Sequence, residues 1–202
     1  MKFVALSGSH RTDSESSKVA HWLIDHLKGK GHEGSVIDLG KADIPLWSTD
    51  AWDQDSELSA FMKPFLKQVD EADALILVSP EWAGMVPGAL KNFLLYVSGH
   101  VAAYKPTLIV GVSSGRGGIY PVNELRVSSY KNTRLSFIPD NLIVQVCETV
   151  MNDHDMDGAN ADDKEIKKRS AHVLNVLVAY AKALKPMREE NDLIHPDYPF
   201  GV

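Results

Sequence analysis

A single cysteine, Cys147, stands in 202 residues, so no internal disulfide can form and a reducing, cytoplasmic setting is expected. No apolar stretch is long enough to span a bilayer, so no membrane partner is expected. A basic excess is also missing. Lys and Arg number 21 against 27 Asp and Glu, a net charge of −6, whereas nucleic acid binding needs clustered cations to neutralise phosphates. The eight histidines fall in no H-E-x-x-H and beside no cysteine pair, so no metal centre is expected. The segment Asp153-His154-Asp155-Met156-Asp157-Gly158 opens like a calcium loop, but Lys164 stands where the closing glutamate belongs. It reads instead as a polar loop whose Asp162 or Asp163 caps the next helix. Neither Ser9 nor Ser114 is the serine of a G-x-S-x-G, which argues against a hydrolase elbow at either. Residues 1–7 run directly into a strand pattern, which leaves no signal peptide to expect. Repeats and low-complexity segments are lacking too. What remains is 44% hydrophobic and 24% charged, the composition of a globular domain with a substantial core.

Apolar runs of strand length recur at 2–6, 35–39, 73–79, 106–112 and 142–147, the last ending in Cys147. Helical spacing fills the intervals. Val19, Trp22, Leu23, Ile24 and Leu27 mark a helix over 14–30, and Leu58, Phe61, Met62, Phe65, Leu66 and Val69 mark one over 55–71 with Pro64 inside. Further helices are expected over 87–98 and 121–132, each opening with a proline, Pro87 and Pro121. A long final helix over 162–184 carries Ile166, Val173, Leu174, Leu177, Val178 and Ala181 on one stripe. Five alternations of strand and helix predict a parallel sheet covered on both faces. Right-handed crossovers and a ligand loop on the first strand predict the flavodoxin-like three-layer sandwich, a five-stranded parallel sheet of order 2-1-3-4-5. Residues 1–185 form the expected domain. Residues 186–202 read as an extended C-terminal tail whose aromatics pack on its own domain or on a neighbour.

The loop after the first run, Ser7-Gly8-Ser9-His10-Arg11-Thr12-Asp13-Ser14-Glu15-Ser16, combines glycine, hydroxyls and one arginine ahead of a helix. Such a loop can cradle a phosphate on the helix N-terminus, with the arginine forking onto its oxygens. It contains neither G-x-G-x-x-G nor the P-loop Gly-Lys-Ser/Thr, and better suits the single phosphate of a mononucleotide. The same residues also describe an ordinary capped helix, with Asp13 or Ser14 as cap. In a doubly wound sheet the loops after strands 3 and 4 reach the same edge. The first of these is Ser79-Pro80-Glu81-Trp82-Ala83-Gly84-Met85-Val86-Pro87-Gly88, and the second Ser113-Ser114-Gly115-Arg116-Gly117-Gly118-Ile119-Tyr120. One offers a flat indole, the other backbone donors in a glycine-rich loop. Three such loops at one edge describe a flavin mononucleotide site.

The residues also carry a family pattern. Gly8, Ser9, Arg11, Ser14 and Ser16 resemble the motif G-S-x-R-x-x-S-x-N, and Pro80, Glu81, Trp82, Ala83, Pro87, Gly88, Leu90, Lys91 and Asn92 resemble P-E-Y-N-x-x-x-P-G-x-L-K-N. Both belong to the NAD(P)H-dependent FMN reductases, which include quinone, azo-dye and chromate reductases. The resemblance spans residues 1–185. It implies that Ser9, Arg11, Ser14 and Ser16 hold the FMN phosphate. It further implies that Pro80, Glu81, Trp82, Ala83 and Gly84 line the ribityl chain and ring, largely through backbone, and that Ser113, Ser114, Gly115 and Gly118 face the other side of the ring. NADPH or NADH would donate hydride, and a quinone, a similar small acceptor or free flavin would accept it, in ping-pong alternation. No protein side chain is assigned as catalytic, since the flavin carries the chemistry. A homodimer or homotetramer is implied as well, in keeping with Phe93, Leu94, Leu95 and Tyr96, which make the 87–98 helix apolar on more than one face. The chain departs from the pattern at Ser16, which replaces Asn, and at Trp82-Ala83, which replaces Tyr-Asn. The alternatives are a flavodoxin-type electron carrier and a flavin-binding protein without turnover.

Overall fold

The computed structural model describes residues 1–157, 159–190 and 193–198. Five strands alternate with helices along the chain: β1 (Lys2–Ser7), β2 (Glu33–Asp38), β3 (Ala74–Pro80), β4 (Pro106–Val112) and β5 (Ser136–Val144). They form one parallel sheet of order β2-β1-β3-β4-β5, the expected order. β3 and β4 are buried along their whole length, which is why both read as unbroken apolar runs.

The helices are α1 (Glu15–Gly29), α2 (Glu57–Glu71), α3 (Gly88–Tyr96), α4 (Gly99–Ala102), α5 (Ile119–Ser128) and α6 (Ala161–Glu190). Alternate residues of each strand point to opposite faces. Phe3, Ala5, Ile76 and Val78 therefore meet α1 and α6 through Leu23, Leu27, Val173 and Leu177. Val4, Leu6, Leu75 and Leu77 meet the other layer through Met62, Val69, Leu90, Phe93 and Leu125 of α2, α3 and α5. α2 runs through Pro64 as one helix.

Four expectations need correction. β5 begins at Ser136, six residues before the apolar run. Its pairing with β4 shifts between Thr107 and Ile109, and this irregularity absorbs Pro139 and Asp140. The Arg126 guanidinium donates to the Ile138 and Pro139 carbonyls there at 2.8 and 3.0 Å. β5 also ends at Val144, so Cys147 lies not in the strand but in a short turn over Cys147–Thr149. The cap of α6 is Asn160, whose Oδ1 accepts from Asp163 N at 2.8 Å; the Asp163 carboxylate accepts from Met151 N and pairs with Lys167. Finally, α6 continues past 184 to Glu190 with Pro186 inside it. Beyond the helix, Leu193 and Tyr198 lie on their own domain, their carbonyls accepting from Arg134. Pro199 to Val202 lie outside the described residues.

Candidate active site

β1, β3 and β4 each end at the same edge of the sheet, and α1, α3 and α5 each begin there. A helix start carries unpaired N–H groups and the positive end of the helix dipole. Two of these three starts already face a carboxylate of the chain itself. At α5, Glu81 Oε2 accepts from Gly118 N at 2.6 Å and from Tyr120 N at 3.3 Å. Just ahead of α3, Glu124 Oε2 accepts from Val86 N at 2.7 Å, while its other oxygen pairs with Lys91. Burial opposes the charge of Glu124, but Lys91 and the Val86 N–H outweigh it and hold its carboxyl below the ordinary range.

The start of α1 differs: its first residue, Glu15, pairs with Lys18 rather than with a backbone N–H of the helix, and lines the cleft described below. Its cap is neutral, with Ser14 Oγ accepting from Ser17 N at 3.1 Å. Ser9 and Ser16 are buried beside it, and Ser9 Oγ accepts from Arg11 N at 3.1 Å, which leaves its hydroxyl proton to donate elsewhere. Arg11 is exposed and has no carboxylate within ion-pair distance among the described residues. A lone cation at the positive end of a helix is poorly placed unless an anion sits between them.

A cleft of about 140 Å3 opens at this point. It brings together Ser9, Arg11, Ser14, Ser16, Pro80, Trp82 and Ser114, seven of the expected cofactor residues on three loops. The His10 ring meets the Trp82 indole edge-on at 4.3 Å and links the first two loops. The cleft also takes in Cys147 and Glu148 from the loop after β5, which the reading of the sequence passed over. The signal was available: β5 neighbours β4 in the expected order, so its following loop reaches the same edge. Lys18 binds that loop to α1 by donating to the Cys147 carbonyl at 2.6 Å and to Asn152 Oδ1 at 2.8 Å. Burial pushes the Cys147 thiol above its usual range, so it stays protonated in this cleft.

The remaining expected residues lie around the cleft in framing positions. Ala83 and Gly84 form the tip of a tight turn closed by Trp82 and Met85, with φ of 51° and 73°. Gly84 faces Tyr120 across a separate groove between α3 and α5. Ser113 Oγ accepts from Gly115 N, and Gly115 O accepts from Val146 N at 3.0 Å, so the loop after β4 is fastened to the loop after β5. Gly118 is buried with φ of 111°, and a Cβ there would lie 2.7 Å from Ile143. Arg116 reaches only an exposed contact with Asp162 at 3.7 Å. Gly8 is fixed by packing more than by any ligand, since a Cβ on it would come within 2.9 Å of both the Val78 carbonyl and Leu90. Asn92 and Tyr96, on α3, hold the long loop after β2 through the Pro45 carbonyl at 2.7 and 3.0 Å.

Comparison with known proteins decides the family. Residues 1–146 match the family described as NADPH-dependent FMN reductase. The chain belongs to that family. An NADPH azoreductase of Bacillus sp. (strain OY1-2) is 26% identical over 191 residues, covering 94% of this chain and 96% of that one. A 2-hydroxy-1,4-benzoquinone reductase of Burkholderia sp. is 34% identical over 122 residues, 58% of this chain and 63% of that one. The structure of a flavoenzyme NAD(P)H:(acceptor) oxidoreductase from Paracoccus denitrificans shares the fold, with a TM-score of 0.65 at 20% identity over 90% of this chain and 95% of that one. The chain is thus an oxidoreductase of a family that uses FMN and a reduced nicotinamide. The donor set at α1 fits such a cofactor: one anion seat, buried hydroxyls, an unpaired arginine and an indole wall.

Proposed function

We propose that the protein holds FMN at this cleft and passes reducing equivalents from NAD(P)H to a quinone or similarly small acceptor. One observation carries this reading: among the described residues, α1 is the helix start at the carboxyl edge whose backbone N–H groups face no carboxylate acceptor, its own Glu15 being paired with Lys18, and Arg11 beside it has no carboxylate partner. Arg11 would neutralise the phosphate, and Ser9, Ser14 and Ser16 would donate hydroxyl or backbone hydrogen bonds to it. Pro80 and Trp82 would wall one side of the ring, and Ser114 with the fastened loop after β4 the other. FMN, when bound, supplies hydride acceptance and electron transfer; the chain supplies position and exclusion of water. Glu81 would keep the Gly118–Tyr120 loop in shape. A single buried thiol and a nicotinamide donor suit the reducing cytoplasm.

The exposed apolar residues Leu95, Tyr120 and Val127 line the groove between α3 and α5. This face would take a second copy of the chain, the first step toward the dimer or tetramer that the family resemblance implies.

The test is spectroscopic. Purified protein given FMN should show perturbed flavin absorbance that bleaches under anaerobic NADPH or NADH and recovers on adding a quinone. Flavin that binds but stays oxidised with both donors would favour a carrier. Failure to bind FMN would overturn the site.

A further inference from the structure

The cleft at α1 carries a second unpaired charge besides Arg11. Glu148, on the loop after β5, lines the same wall, and among the described residues its carboxylate has neither a hydrogen-bond donor nor a cation as partner. Lys18 is committed elsewhere: its ammonium pairs with Glu15 and donates to the Cys147 carbonyl at 2.6 Å and to Asn152 Oδ1 at 2.8 Å. Arg11 and Glu148 therefore share a cleft of about 140 Å3 without pairing with each other.

The backbone holds Glu148 there under strain. Val146 adopts φ 43° and ψ 43°, the left-handed region that a β-branched residue rarely enters. Two backbone bonds fasten this turn to the loop after β4. Val146 N donates to the Gly115 carbonyl at 3.0 Å, and Cys147 N to the Ser113 carbonyl at 3.2 Å. The turn follows the end of β5 directly and leads into Cys147 and Glu148 on the cleft wall. Strain of this kind is retained where a fixed geometry serves a ligand.

The cleft thus offers two polarities. Arg11, the N–H groups of α1 and the serine hydroxyls donate, which suits an anion. An ionised glutamate only accepts, so Glu148 repels a phosphate and suits a part of the ligand that bears hydroxyl donors. A polyol phosphate presents both, and the ribityl phosphate arm of FMN is one. Resting on the reading of the cleft as the FMN site, we propose that Glu148 determines specificity there: its carboxylate accepts from ribityl hydroxyls and selects a flavin with a hydroxylated chain over one without. Glu148 stands outside both sequence motifs and just beyond residues 1–146, which match the family.

The experiment is fluorescence titration with FMN and with deoxyribityl analogues of FMN, each lacking a single chain hydroxyl. The unaltered protein should bind at least one analogue about tenfold more weakly than FMN, the loss of one hydrogen bond to a charged acceptor. Glu148→Ala should weaken FMN by about the same factor and bind FMN and that analogue alike. Glu148→Gln, whose amide oxygen still accepts, should restore part of the discrimination. Arg11→Gln should weaken FMN and the analogues equally, since its partner is the phosphate. Glu148 is exposed and its side chain is without a partner, so Glu148→Ala should fold with an unchanged urea midpoint. Glu148→Ala binding FMN as tightly as the unaltered protein or more tightly, discrimination kept in full by Glu148→Ala, or equal affinity of the unaltered protein for FMN and every analogue would overturn the proposal. Failure of the unaltered protein to bind FMN would instead overturn the reading of the cleft itself.

Discussion

Arg11 is the residue on which the proposed site most depends, because nothing else among the described residues pairs with it. Removing its charge in Arg11→Gln should weaken FMN binding about tenfold, the loss of one exposed charge-assisted hydrogen bond of about 1.5 kcal/mol. Fluorescence titration at two salt concentrations would check it, the salt dependence shrinking in the variant. Ala83 makes a different point. Its φ of 51° lies in the left-handed region, and with Gly84 at 73° it forms the kind of turn that favours Asn-Gly. The motif residue that Ala83 replaces is Asn, so the sequence departs from its family at a place where the backbone is strained. Ala83→Asn should raise stability by about 0.5–1 kcal/mol in urea unfolding. Both residues are singled out by the sequence as candidate site positions. The backbone strain at Ala83 was not, since it follows from a pairing of Trp82 with Met85 that no local pattern announces.

Elements were legible where packing and local preference agree. β3, β4 and α1 were read to within a residue or two, because each is either apolar throughout or striped and capped. β5 was half missed because Pro139, Asp140 and Asn141 look like a turn, and only the pairing irregularity and Arg126 make them tolerable in a strand. The loops followed the same rule. The three that carry glycine, proline and hydroxyls were found, whereas the contribution of Cys147 and Glu148 was hidden in what looked like the end of a strand. Glu81 was read as a lining residue by resemblance, and its carboxylate turns out to join two loops. Glu81→Ala should cost about 1–3 kcal/mol of stability, since it leaves two N–H groups at the start of α5 unpaired, with Glu81→Gln closer to 1 kcal/mol. Urea unfolding of the two variants side by side would separate loss of the acceptor from loss of the charge.

At the scale of the whole molecule, Lys105 ties stability to pH. Its folded value of about 8 lies below the ordinary 10.5, so between those values the unfolded chain binds more protons than the folded one. This group therefore makes stability rise with pH from about 8 to 10.5 and costs the fold on the order of 3 kcal/mol below that window. In Lys105→Met the urea midpoint should lose that slope between pH 8 and 10. Self-association is testable separately. Leu95 and Val127 are 64% and 79% exposed on the face between α3 and α5, and Leu95→Glu with Val127→Glu should yield monomers by light scattering while FMN remains bound.

The carboxylate of Glu81 has a bearing on cofactor choice. α1 follows β1 and α5 follows β4, so their starts lie two strands apart along the same edge. Glu81 already fills the α5 seat, so any ligand anion reaching it would have to displace a built-in competitor held by two backbone N–H groups. A second anionic group on a ligand is thus opposed at α5 by the protein's own side chain, and an engineer seeking to seat one there would begin by neutralising Glu81.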